Sequence, residues 1–510
     1  MLNALTVALD GDAAGTARAA ASLERQGMVL AARHAWRGGE LQAWSQPAQR
    51  DAADCFVRTA DGAACCVGPL WYRGAFGAEA LRRMLDEVAE GDQVPGIDET
   101  RLRGNFALFL HKAGRAWLLN DALGFVRLYG GADGRFHSTS WLAVRAYTGD
   151  AEIDEAAAIE YVLQGAPHSE RTVARSVAKL AIGHAIELGE RRAIPRFPMG
   201  LWAGAPAFGS IDAAVSALDA HLRTVFAEIV SAFPARVSAA LSGGFDSRLI
   251  VAGLLACGER PTLFVYGGPG SEDVPIANEV ARAEGMAIRA VDKDALNRGL
   301  PEPGLDDLVR CALFFDGLPN DGIDDRGADR VTRIEQSAGG TLALNGGGGE
   351  IFRNFFHLPN RRFRARDIVR AFYRGFDPAV FRRRDGLAAY EAGMAASIAR
   401  SVGLAYGEAG SLLAREQTEL VYPLFRCHHW MGLNNSVALR QGQFMTPLVD
   451  LQTVRAACML PLAWKNAGLF EARLITSLHR SIASRTSAYG FRFSDGPDLR
   501  ARWVEWSTGM

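Results

Sequence analysis

Ser242-Gly243-Gly244-Phe245-Asp246-Ser247 is the stretch from which the fold can be read. Before it, residues 236–241 are short, apolar and preceded by Pro234, as a buried parallel strand should be. After it, residues 248–258 have the spacing and length of a helix, with Gly258 placed as its C-terminal stop. Strand, glycine turn and helix together make an anion site. Two glycines let backbone amides approach a phosphate, and the helix N-terminus supplies partial positive charge. Ser242 and Ser247 can donate hydroxyl hydrogen bonds, while Asp246 can hold a magnesium ion already bound to phosphates. The Walker pattern is excluded, because its Gly-Lys-Ser/Thr ending is missing.

Working outward from this loop, the downstream chain alternates strands and helices, which predicts an α/β fold with a parallel sheet. Residues 261–268 read as a second strand ending in glycines. Ligands of open α/β sheets lie at the strands' carboxyl ends, so Val265, Tyr266, Gly267 and Gly268 are expected along a bound adenine, with Leu241 among the other nucleotide-binding residues. The next helix opens with Ser271-Glu272-Asp273, where acids serve capping as readily as function. Residues 339–352 form a further strand followed by Gly346-Gly347-Gly348-Gly349-Glu350. Four glycines suit a close backbone approach, which places Gly347 and Gly348 beside the nucleotide; a loose surface loop is the plainer reading. Arg361, Arg362, Arg364 and Arg366, with Arg382, Arg383 and Arg384 later, read as a solvated basic face, the alternative being a contact for an acidic peptide or phosphates. His428 and His429 are adjacent, so on a helix they point about 100° apart and do not suggest a zinc site.

Upstream, residues 1–200 read as a β-rich domain, with strands near 4–9, 106–110 and 116–119 and a helix near 78–90. A Pro/Gly-rich linker is expected over residues 194–210, containing Pro198, Gly200, Gly204 and Pro206. A helix over 211–233, capped by Ser210, then leads into the glycine turn. The chain has 510 residues, enough for two or three domains, and 49% hydrophobic with 22% charged residues describes a globular protein. A net charge of −1 argues against a strongly basic nucleic-acid partner. Seven cysteines without CxxC spacing, no export signal and no membrane-length apolar run predict a cytoplasmic protein with reduced thiols and no membrane contact.

Several motifs carry a family resemblance. The hexapeptide resembles the pyrophosphate loop, Ser-Gly-Gly-x-Asp-Ser, of enzymes that split ATP between its α and β phosphates. Gly104-Asn105-Phe106-Ala107 and Asp121 through Leu128-Tyr129 look like the class II glutamine amidotransferase domain of asparagine synthetases. Gly346 to Phe352 resembles that family's "G-E-G-x-D-E-L-F" loop, with Glu350 matching the second acid and Gly349 replacing the first. The segment through Phe444 to Asp450 is similar to its "P-F-L-D" ending. Pro461 to Lys465 is similar to its "P-x-x-x-K", but Glu471 stands where the family has a lysine. The resemblance implies two domains: residues 1–200 as an amidotransferase-like αββα domain, and 211–510 as a PP-loop ATP-pyrophosphatase domain of the adenine-nucleotide α-hydrolase type.

In that family an N-terminal cysteine attacks glutamine; Leu2 follows Met1 here, so the first domain is expected to be a scaffold without glutaminase chemistry. The resemblance is to the class B asparagine synthetase-like superfamily, and within it most to lasso-peptide macrolactam cyclases. It implies ATP and Mg²⁺ as cofactors, with the metal on Asp246 and Glu350. Arg473 or Lys465 would supply charge to the departing pyrophosphate, and Glu471 would face the amine. The implied reaction adenylylates a carboxylate for attack by an amine, closing a ring between an Asp or Glu side chain and a peptide's N-terminus. A leader-binding or leader-peptidase protein would be the partner. An ammonia-dependent asparagine synthetase-like ligase, a β-lactam synthetase-like ligase and an inactive nucleotide-binding scaffold are the alternatives.

Overall fold

A computed structural model describes residues 2–9, 11–47, 52–196, 208–319, 327–403 and 410–497. The architecture is α/β in two parts. The first is built on two six-stranded antiparallel sheets. In one, Ala4–Ala8 lies between Phe136–Ser138 and Gly39–Ser45. In the other, Arg115–Asn120 lies between Ala107–Lys112 and His184–Glu187. Two residues, Ala113 and Gly114, turn the Ala107–Asn120 hairpin, and both have positive φ (49° and 82°), the twist that a two-residue hairpin turn requires.

Period-2 alternation assigns the faces. Leu5 and Val7 point into the core between the sheets, against Leu108 and Leu110. Ala4 on the opposite face packs with Leu23 and Val144 of the helices Ala13–Arg25 and Trp141–Thr148. The helix Gly77–Glu87 covers the second sheet, so the layers run helix, sheet, sheet, helix. Leu2 is fully buried in the inter-sheet core, together with Cys55, Cys65 and Cys66.

The second part is organised around a parallel sheet in the order Ile288–Val291, Thr262–Tyr266, Val237–Ala240, Leu342–Leu344, Phe444–Met445. The central strand, Val237–Ala240, comes first in the chain. The next two strands lie on one side of it and the last two on the other, which opens a crevice at its carboxyl end. The Ile211–Ala232 helix, capped by the Ser210 hydroxyl accepting from the Ala213 amide, packs behind this sheet with Leu469–Leu478.

The helix expected from residue 248 begins three residues earlier and spans Phe245–Ala256. Gly244 caps it in an extended conformation without a side-chain bond, so Asp246 and Ser247 belong to the first turn. The linker region begins at the end of the strand Arg192–Pro195. Its Pro198, Gly200, Gly204 and Pro206 lie outside the described residues. Among the described residues no helix is long and apolar enough to cross a membrane.

Buried polar contacts join the two parts. The Arg127 guanidinium donates to the carbonyls of His428 and, at 3.0 Å, His429, both in a π-helical segment, Tyr422–Met431. Lys179 Nζ lies 3.0 Å from His429 Nδ1. The Asn3 amide donates to the Leu439 carbonyl at 3.0 Å, and Asn105 Oδ1 accepts from the Thr446 amide at 2.7 Å.

Candidate active site

A cavity of about 1380 Å³ opens at the carboxyl ends of Val237–Ala240 and Thr262–Tyr266. One wall is the glycine turn, whose hydroxyls hold its shape. Ser247 Oγ accepts from the Ser242 amide at 2.9 Å and lies 2.9 Å from Ser242 Oγ, which in turn accepts from the Gly244 amide at 3.2 Å. Asp273 Oδ1 accepts from the Gly243 amide at 2.7 Å, so Asp273 lines the cavity and braces the turn, while Glu272 is not on the wall. Leu241, Val265, Tyr266 and Gly347 reach the wall as expected. Gly243, Gly267 and Gly348 are not on it.

Three acids from three elements converge on one arginine. Arg353 Nη2 donates to both oxygens of Asp246, at 2.8 and 2.7 Å, and its Nε lies 2.9 Å from Glu471 Oε2. Glu350 lies beside them, its Oε2 accepting from the Tyr422 hydroxyl at 2.5 Å and the Gly348 amide at 3.0 Å. The guanidinium sits 5.2 Å above the Phe245 ring. Burial pushes the Asp246 carboxyl up to about 6, Arg353 pulling it back and Glu350 pushing it further. Burial, and then the Asp246 charge, raises Glu471 well above the usual carboxylate range.

Gly349 explains one departure from the expected motif. A Cβ there would lie 2.4 Å from Asp246 Oδ1, so an acid at 349 would collide with the acid already present.

The two expected cations do not reach the site. Lys465 is buried and ion-paired with Glu419, and Arg473 pairs with Asp212 at 2.8 Å on the protein surface. Among the described residues Arg353 is the one lysine or arginine on the cavity wall. The sequence did not single it out, although a base three residues past Glu350, just after a glycine turn, was a usable signal. Of the basic cluster, Arg366 gathers with Arg370 and Arg374 around the buried Glu391, away from the cavity.

A lip from the C-terminal region closes the turn. The buried Arg248 donates to the carbonyls of Arg485 (2.9 Å) and Thr486 (2.5 Å), the Ala488 amide donates to the Gly243 carbonyl at 3.0 Å, and Phe493 stacks on Phe245 at 4.2 Å.

Among the described residues no three His, Cys, Asp or Glu side chains form a ready-made metal centre. The donor chemistry nonetheless fits magnesium. Asp246 and Glu350 offer hard carboxylate oxygens, and Glu471 is buried with neither oxygen accepting a hydrogen bond.

No protein-family model and no curated protein matches the chain. Among solved structures, it is similar to a glutamine phosphoribosylpyrophosphate amidotransferase from B. subtilis complexed with ADP and GMP, at 11% identity and a TM-score of 0.24, over 59% of this chain and 69% of that one. It is also similar to a structure described as the allosteric regulatory enzyme of purine biosynthesis, at 10% identity and a TM-score of 0.26, over 59% of this chain and 68% of that one.

Proposed function

We propose that this chain is an ATP-dependent, AMP-forming amide-bond-forming enzyme of the class B asparagine synthetase-like kind, closing a macrolactam in a lasso-peptide precursor. One observation carries the reading: the Ser242–Ser247 turn, with Asp246 in it, shares a single cavity with Glu350 and Arg353 at the sheet's switch point. The N-terminus of the Phe245–Ala256 helix and a serine hydroxyl of the turn would meet the phosphates, the Ser242, Gly243 and Gly244 amides being engaged within the protein, and Val265 and Tyr266 would flank the base. Asp246 and Glu350 would hold magnesium, which supplies charge neutralisation at the phosphates. The substrate carboxylate displaces pyrophosphate from the α-phosphorus, and an amine then displaces AMP from the activated acyl carbon. The lip formed by Tyr489 and Phe491 would keep water from the activated acid.

The cavity has room for a peptide beside the nucleotide. A pocket for one small ligand has roughly 300–1,000 Å³. The larger volume here, walled on its far side by Phe355, His357 and Phe372, suits a nucleotide plus a sizeable apolar substrate. Holding both ends of one peptide also makes the amine's attack intramolecular.

The test is pyrophosphate and AMP release with MgATP and a leader-free peptide carrying an acidic side chain several positions from its N-terminus. Aspartate plus ammonia is the control. Release and ring formation with the peptide are expected, and Asp246→Ala should abolish both. Full release by Asp246→Ala, or release with aspartate and ammonia alone, sinks the assignment.

A further inference from the structure

Asp246 stands in the first turn of the Phe245–Ala256 helix, Glu350 in the short Gly349–Phe352 turn and Glu471 in the first turn of Leu469–Leu478. Arg353 binds two of these acids at once and lies between groups that a divalent cation would otherwise join. We propose that Arg353 is an exchangeable counter-ion. In the nucleotide-free protein it holds Asp246 and Glu471; when a divalent cation arrives with a nucleoside triphosphate, the cation takes Asp246 and Glu350. Arg353, tethered by Glu471, then turns its guanidinium to the phosphates. This inference rests on the nucleotide reading above.

Four observations support it. One guanidinium nitrogen occupies the edge between the two Asp246 oxygens, so a cation that is to sit on both oxygens must displace it. The contact with Glu471 differs in kind: at 2.9 Å it is an ion pair, yet Arg353 Nε and both Glu471 oxygens lack a hydrogen bond of ordinary geometry. Proximity without a directed hydrogen bond leaves the guanidinium able to pivot about that contact. Nη1 already reaches the Tyr489 hydroxyl at 3.2 Å on the lip, which puts the guanidinium edge at the cavity wall. Finally, Lys465 and Arg473 are engaged elsewhere, which leaves Arg353 to meet the charge of a departing pyrophosphate. The glutamate at 471 and the arginine at 353 are then one exchange: the cation comes from a different element and the acid anchors it.

The test measures Mn²⁺ binding to the full chain by electron paramagnetic resonance, with and without ATP, and ATP binding by calorimetry in the presence of a chelator. Arg353→Ala should bind Mn²⁺ without nucleotide about tenfold more tightly than the wild type, because Asp246 and Glu471 lose their cation and Glu350 beside them loses its neighbouring positive charge. It should bind metal-free ATP about tenfold more weakly, and Arg353→Lys should move both values back toward wild type. A gain in metal affinity cannot come from misfolding. Unchanged or weaker nucleotide-free Mn²⁺ binding by Arg353→Ala overturns the counter-ion role. Equal ATP binding by wild type and Arg353→Ala overturns the turn to phosphate. A wild type that binds no ATP at all overturns the nucleotide reading, and the turn to phosphate with it.

Discussion

At position 349 the absence of a side chain is a steric requirement. Asp246 Oδ1 occupies the space that a Cβ would need. Gly349→Ala is therefore expected to force either the turn or Asp246 aside, at about 1–3 kcal/mol, read as a lowered urea midpoint. An unchanged midpoint would show that the turn has slack. Residue-scale legibility follows the same logic. Asp246 and Glu350 were readable because their chemistry is written in a local motif. Arg353 offered only its place three residues past Glu350 as a signal, and its partner Asp246 is 107 residues away. Arg473 was misplaced for a reason already available in the sequence. Residues two apart on a helix diverge by about 200°, so with Glu471 facing the site Arg473 faces away, toward Asp212.

The Phe245–Ala256 helix does two jobs at the scale of the element. Its N-terminus presents the glycine turn, and its buried Arg248 pins the backbone of residues 485–486 beneath the lip. Arg248→Met keeps the volume but removes both donors, leaving two carbonyls without partners. A loss of about 2–4 kcal/mol is expected. Hydrogen exchange should quicken over residues 486–493 while the amides of Val237–Ala240 stay protected; equal protection of the lip in the variant would contradict the pinning. The helix itself was legible from its spacing, but its first turn was not. Gly244 gives no side-chain cap, so Phe245-Asp246-Ser247 read as loop. The lip left no trace in the periodicity, because its turn is held by Ser487 bonding the Phe491 carbonyl and by Arg248, Gly243 and Phe245 rather than by an alternating apolar pattern.

The division of the whole molecule into a β-rich front and a strand–helix alternating back was visible in the sequence. The joint between them was not, since its members lie about 300 residues apart and the two histidines carry no metal-like spacing. Burial lowers His168 to about 3 and depresses His428 and His429 as well, with Lys179 adding to each. In the unfolded chain these imidazoles titrate near 6.5 and take up protons that the folded joint refuses. Stability is therefore fully present above about pH 6.5 and falls as the pH drops toward 3. The urea midpoint should decline between pH 7.5 and 5, and His168→Gln should flatten that decline; a midpoint constant over this range would contradict the buried, neutral histidines. The Arg127 clasp has an evolutionary corollary. A gene that dropped the front sheets would remove the Arg127 donor from the carbonyls of His428 and His429 and bare the joint to water. Whatever the front half does by itself, the two halves must be inherited together.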